Sequence, residues 1–216
     1  KLKGLVTTGD ITKSYMNVSD NGILAEAKTS IKNIIDTIDG KLVCGDENKI
    51  FDCGKVNIAA GDSDYMKMNI GDNDLVILGN RKDYQKKCID LKASVLVVTG
   101  YDYVDDDIVN EAKEKGIVII KTKLNTYMVA KLIGQSMPVR YFMSKGKLIT
   151  FGMLDYIDEI KQVMSNNRFR DFPIVSRGGK YLGTITRRNL LNTNKKSVIL
   201  VDHNEETQTV EGIEEA

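Results

Sequence analysis

The sequence has little of the residue types that most often carry chemistry. Its 216 residues include one histidine, His203, and three cysteines, Cys44, Cys53 and Cys88. An odd cysteine count without C-x-x-C spacing argues against a disulfide framework or a zinc site and for reduced thiols. Charge of one sign is also missing. The balance of 31 basic and 30 acidic residues leaves a net charge of +1, so no global field exists to hold a nucleic acid or an anionic membrane, and any anion site must be local. No apolar run approaches the roughly 18 residues of a membrane span, and no charged-then-apolar leader precedes a cleavage site. These absences imply a cytoplasmic protein with neither nucleic acid nor membrane as partner. The chain starts at Lys1 without an initiator methionine and enters an apolar run at once, so it is expected to be a piece of a longer protein.

What is present is an alternation of strands and helices, in a chain long enough to bury roughly 70% of its unfolded surface. Ile23, Ala27, Ile31, Ile34, Ile35 and Ile38 recur at spacings of three and four, with Asn21 placed to cap and Gly40 to stop, which predicts one helix across 21–40. The middle then becomes regular: LVILG at 75–79, SVLVVTG at 94–100 and IVIIKT at 117–122, with helices near 82–92, 105–115 and 125–135. Strands apolar at every position, alternating with helices, predict a small α/β domain whose parallel sheet is covered on both faces. Pro138 marks a boundary, because the residue before a proline is pushed out of helical space. Beyond it the pattern predicts a helix near 155–165, two short strands, FPIV and YLGTIT, and a last helix.

An internal repeat flanks this middle. GLVTTGD at 4–10 and GTITRRN at 183–189 share the frame Gly-x-x-Thr-x-x-Asp/Asn. A threonine at a helix start offers its hydroxyl beside unsatisfied backbone N–H groups, a ready anion site. Asp10, one turn further on, can accept hydrogen bonds from both hydroxyls of a ribose, which Asn189 can do only in part. The same frame also fits two ordinary N-caps.

On these residues the chain resembles known families. VRYFMSKGKLITFGMLDYIDEIKQVMSNNRFRDFPIVSRGGKYLGTITRRNLLN, 139–192, looks like a complete CBS domain: Met164 late in a helix, the Phe172-Pro173-Ile174-Val175 strand, the Gly178-Gly179 hairpin, and the signature frame ending in Asn189. KLKGLVTTGDITKSYM resembles the last strand and helix of another CBS domain, with Asp10 intact. GNRKDYQKKCIDLKASVLVVTGYD is similar to the DRTGG family, with Asn80 and Arg81 at the first pair of the motif, Thr99 and Gly100 at the second, and Tyr101 in place of the final glycine. These departures weaken the case for a ligand there, and a fold role suits Arg81 and Thr99 as well. The fold implied is α/β, with CBS modules of Bateman type flanking a small parallel-sheet DRTGG domain: 1–20 the end of one CBS domain, 21–136 the DRTGG domain with its leading helix, 137–196 the second CBS domain.

The remaining segment, 197–216, carries SVILVDHNEE. Alone, Asp202 and Glu205 have the spacing of a capping box. With the flanking modules, it resembles the point where the regulatory insertion of CBS-containing family II inorganic pyrophosphatases rejoins the catalytic domain. The resemblance implies a manganese- or cobalt-dependent hydrolase as parent, Asp202 as a metal ligand only in the complete enzyme, and no catalytic residue in this segment. It implies AMP and ADP as inhibitory ligands and diadenosine polyphosphates such as diadenosine tetraphosphate as activators, bound between CBS modules of a homodimer that acts on its own catalytic domains. Residue by residue, the main chain of Phe172, Pro173 and Ile174 would edge the adenine, Asp10 and more weakly Asn189 the ribose, and Thr7, Thr186, Arg187 and Arg140 the phosphates. Tyr15, Tyr141 and Tyr181 would stack on adenine or fill the interface. Two other readings compete: a stand-alone CBS sensor of nucleotides or S-adenosylmethionine acting on a different effector, and an enzymatic α/β middle. The second has no convincing nucleophile with a nearby base, and its GDSDYMKMNIGDND stretch would repel phosphate without a metal.

Overall fold

The computed structural model describes residues 2–16, 20–144, 148–167, 169–192, 199–201 and 207–209. The chain divides into two compact units, one of Val6–Met143 and one of Lys1–Leu5 with Ser144–Ala216.

The unit Val6–Met143 is built on a five-stranded sheet. In chain order its elements are α1 (Thr8–Met16), α2 (Ile23–Glu26), β1 (Thr29–Ser30), α3 (Ile31–Thr37), β2 (Gly40–Cys44), β3 (Ile50–Phe51), β4 (Val56–Ile58), α4 (Ser63–Asn69), β5 (Leu75–Leu78), α5 (Lys82–Asp90), β6 (Val95–Thr99), α6 (Asp106–Glu114), β7 (Val118–Thr122) and α7 (Thr126–Leu132). A 3-10 turn, Ile133–Ser136, and α8 (Val139–Phe142) close it. The strand order is β2-β7-β6-β5-β4, with β4 to β7 parallel and β2 antiparallel to β7. Alternate residues of each strand enter opposite cores. Leu75, Ile77, Val95, Val97, Val118 and Ile120 pack with Ile31, Ile34, Ile38 and Val129 on one face. Val76, Leu78, Leu96, Val98 and Ile119 pack with Met66, Cys88, Ile89, Ile108 and Ala112, from α4, α5 and α6, on the other. That is why 75–78, 95–98 and 118–120 are apolar at every position: each is an interior one.

The expected helix over 21–40 is not one helix. Its isoleucines do face one core, but Lys28 takes φ 52° and the chain runs extended through β1, which pairs antiparallel with β3. Ser30 then restarts the helix as an N-cap, its Oγ accepting from Asn33 N at 3.2 Å. Spacing is blind to this break because Ala27 to Ile31 keeps the four-residue step. Nor does Gly40 end α3 by a left-handed turn: Asp39 takes φ 46°, and Gly40 opens β2, where a Cβ would lie 2.8 Å from Ile120 Cγ2. The two sheet-edge strands do not stand out in the sequence because β2 is mixed in polarity and β4 is both mixed and only three residues long.

The other unit packs α9 (Ile157–Ser165) against the antiparallel hairpin β8 (Asp171–Val175) and β9 (Tyr181–Thr186), followed by α10 (Arg187–Asn192). Phe151 forms a parallel bridge to Ile174 on the outer side of β8. The core is Phe151, Ile160, Met164, Phe172, Ile174, Ile185 and Leu190. Strands β10 (Ile199–Val201) and β11 (Thr207–Thr209) pair antiparallel. Asp202 and His203 lie outside the described residues.

Two outcomes follow from the packing. Thr29 is fully buried and its Oγ1 has no hydrogen-bond partner, so the isosteric Thr29→Val should raise stability by about 1 kcal/mol, read as a higher urea midpoint at unchanged slope. Cys53 is exposed, whereas Cys44 and Cys88 are buried. Burial pushes the Cys88 thiol up to about 12 and that of Cys44 up from its ordinary value, against a smaller opposing pull from a backbone hydrogen bond with Ile119. Titration with a thiol reagent at pH 8 should therefore modify one cysteine quickly and the other two only on unfolding.

Candidate functional site

Both copies of the threonine frame are helix caps of one design, although only the second follows a strand. In the first, Thr7 precedes α1: Asp10 N donates to Thr7 Oγ1 at 3.3 Å, and the carboxylate answers, Oδ2 accepting from Thr7 N at 2.9 Å and from Thr7 Oγ1 at 2.7 Å. This is the reciprocal geometry of a capping box. In the second, Thr186 ends β9 and its Oγ1 accepts from Asn189 N at 3.1 Å. The threonine hydroxyls are thus engaged at helix starts, and a carboxylate has two acceptor oxygens. A carboxamide offers one acceptor oxygen.

The other candidates divide between the units. Phe172, Pro173 and Ile174 lie within β8, buried between β9 and the Phe151 bridge, and Pro173 O accepts from Phe151 N at 2.9 Å. Arg187 opens α10; its backbone N donates to Arg170 O at 3.0 Å, and its Nη2 donates to the carbonyls of Met164, of Asn167 at 2.5 Å and of Phe169 at 3.4 Å. Arg140 belongs to the five-stranded unit, where its Nη2 donates to Lys28 O at 2.7 Å, on the left-handed residue between α2 and β1. Tyr141 packs edge-on against Phe142 at 5.2 Å between ring centroids. Burial first, then the hydrogen bond and charge of Glu26, raise its phenol above the ordinary value. Tyr181 Oη and Thr184 Oγ1 share a hydrogen bond of 2.8 Å.

The motif residues of the α/β middle hold the sheet. Thr99 Oγ1 bonds Leu78 O at 3.1 Å and Thr126 Oγ1 at 2.8 Å, joining the ends of β5, β6 and α7. Gly100, at φ 77°, donates from its N to both Thr122 O and Leu124 O. Arg81 forks onto Asp83 and stacks over Tyr84 at 4.0 Å. Asn80 Oδ1 accepts from the buried Gln85. The acidic stretch that follows β4 is likewise structural: Asp62 caps α4, and the buried Asp74 accepts from Lys55 N, Asn57 Nδ2 and Gly71 N at 2.7–2.8 Å. Open parallel sheets bind ligands at the carboxyl edge where strand order reverses. Here β4 to β7 advance in one direction with no reversal, so the parallel strands have no switch point of that kind. Among the described residues no three His, Cys, Asp or Glu side chains converge on a position for a metal ion, and no helix is long and apolar enough to cross a membrane.

These two units have known counterparts. The DRTGG domain family matches residues 33–136 and the CBS domain family residues 139–195, so the chain is of the class that joins a DRTGG domain to a CBS domain. A cobalt-dependent inorganic pyrophosphatase of Clostridium perfringens (strain 13 / Type A) is 38% identical over all 216 residues, which span 39% of that protein. A probable manganese-dependent inorganic pyrophosphatase of Thermotoga maritima is 31% identical, again over the whole chain and 39% of the relative. The chain therefore spans about two fifths of the length of these relatives. The crystal structure of the CBS and DRTGG domains of the regulatory region of Clostridium perfringens pyrophosphatase, complexed with its activator diadenosine tetraphosphate, superposes with a TM-score of 0.78 at 35% identity, covering 86% of this chain and 81% of that one. The chain belongs to the family of CBS- and DRTGG-containing regions of which that structure is a member.

The buried hydroxyl at the motif threonine gives a direct check. Thr99→Val leaves Leu78 O and Thr126 Oγ1 without their partner, and should cost about 1–2 kcal/mol in urea unfolding, whereas a ligand role alone would leave unliganded stability unchanged.

Proposed function

We propose that this chain is the nucleotide-sensing regulatory region of an inorganic pyrophosphatase, and that diadenosine polyphosphates activate the parent enzyme through it while AMP and ADP inhibit. The observation that carries this reading is the likeness, at 35% identity over 81% of the solved chain, to a regulatory region bound to diadenosine tetraphosphate. The metals, manganese or cobalt, belong to the catalytic domain of the parent, to which Asp202 contributes. The parent is a cytoplasmic homodimer paired through its CBS modules, and the module boundaries fall at 1–20, 21–136, 137–196 and 197–216.

In this proposal the adenosine is read by the β8 segment Phe172–Ile174, and the ribose by Asp10 and, more weakly, Asn189. Thr7 and Thr186, with Arg140, lie on the phosphate side. Regulation requires that AMP and a dinucleotide bind two arrangements of the modules with different affinity, since a ligand indifferent to the two shifts nothing. The ligand's energy then biases the catalytic domain through the short Asn192–Ser197 connection.

Calorimetry on this chain tests the reading. AMP and diadenosine tetraphosphate should both bind, with Asp10→Ala weakening binding roughly ten- to a hundredfold and Asn189→Ala less than tenfold, the scale of one charged against one neutral hydrogen-bond acceptor. Melting curves of each variant separate loss of the α1 cap from loss of the ribose contact. Equal losses contradict unequal sites; wild-type chain that binds neither nucleotide overturns the reading, and binding of S-adenosylmethionine alone favours a sensor of another kind.

A further inference from the structure

Arg187 sits in the signature frame where a phosphate-binding cation is expected, yet its geometry serves a different task. Helix α9 ends at Ser165, and the last carbonyls of any helix lack intrahelical donors. Here Asn167 Nδ2 donates to Val163 O at 2.7 Å, and Arg187 Nη2 reaches back across the hairpin to Met164, Asn167 and Phe169. A cation at a helix C-terminus also meets the negative end of the dipole. The backbone of the same residue bonds Arg170 O at 3.0 Å. One residue thereby fastens both the end of α9 and the whole turn that delivers the chain into β8, just before Phe172, whose ring contacts Phe169 edge-on at 6.3 Å and Phe151 at 5.6 Å.

We propose that Arg187 is a positioning residue: it clamps 164–170 and so sets the entry and register of the Phe172–Ile174 segment, instead of neutralising a phosphate. Arg188, on the same turn of α10, is exposed and serves as the control for a cation of this frame outside the clamp. The clamp stands on the apo geometry alone; its effect on affinity rests on the nucleotide reading above.

Arginine and lysine separate the two roles. A lysine keeps the positive charge a phosphate needs, but its ammonium lies one bond nearer the main chain than Nη2, the atom through which Arg187 meets all three carbonyls, and so falls short of them. Amide hydrogen exchange of the unliganded chain should speed up by about tenfold or more across 166–172 in both Arg187→Lys and Arg187→Ala, while Arg188→Ala exchanges like wild type. In calorimetry with AMP and with diadenosine tetraphosphate, Arg187→Lys should lose nearly as much affinity as Arg187→Ala. Unchanged exchange in Arg187→Lys together with wild-type affinity would overturn the clamp and return Arg187 to the phosphates. If the wild-type chain bound neither nucleotide, the regulatory reading would fall, and the exchange measurement would still decide the clamp.

Discussion

The two-sided burial of the parallel strands β5 to β7 is the constraint on which the larger unit depends. Because these strands offer apolar side chains to both faces, neither face can meet water, and the chain must lay helices on each. Three of them, α4, α5 and α6, come from the crossovers. Successive right-handed crossovers that advance in one direction leave all three on one face, so the other face must be covered from outside the crossovers. The segment 23–38 and α7 do this, with Ile31, Ile34, Ile38 and Val129 over Leu75, Ile77, Val95 and Val97.

This arrangement explains why the DRTGG motif is structural. A sheet whose crossovers all advance the same way has no reversal at its carboxyl edge, the place where open parallel sheets most often take a ligand. The polar residues that gather there have another duty, to satisfy backbone groups where buried strands end. Thr99 and Gly100 meet three carbonyl groups and a hydroxyl between them, Gln85 reaches Gly79 O, and Lys82 spans Asp105 and Asp107. Exposed ion pairs of the last kind add little stability; the buried hydroxyl bonds matter more, because an orphaned carbonyl in the interior costs more than a made bond returns.

The unit with the hairpin solves a smaller problem with fewer parts. Its core is seven buried side chains, and the chain on either side of α9 must be guided by polar contacts: Gly152 N on Asp155 Oδ2 at 2.7 Å near the entry, and Arg187 and Asn167 on the carbonyls at the exit. A ligand held against β8 would inherit its geometry from these contacts. In that sense the signature frame of 183–189 joins fold and function, with Thr186 capping α10 and Arg187 fastening α9 through adjacent residues.

Much of this was legible in the sequence, and the reasons are local. Fully apolar runs at 75–78, 95–98 and 118–120 report burial on both faces without knowledge of any neighbour, and the threonine frames report helix starts because a cap involves residues only three apart. The isoleucine spacing in 23–38 correctly named a core face, yet it missed the break at Lys28 to Ser30, since the pairing of β1 with β3 and the Arg140 bond to Lys28 O join residues 20 to 112 positions apart. Arg187 is the sharpest case. Its neighbours in sequence suggest a phosphate, whereas the carbonyls it meets lie 18 to 23 residues away. The sequence alone determined which segments must be buried and where helices begin, through periodicity and short-range caps. Only the tertiary structure decided which polar side chains answer which distant backbone groups, because hydrogen-bond partners are chosen by proximity in space after the chain has folded.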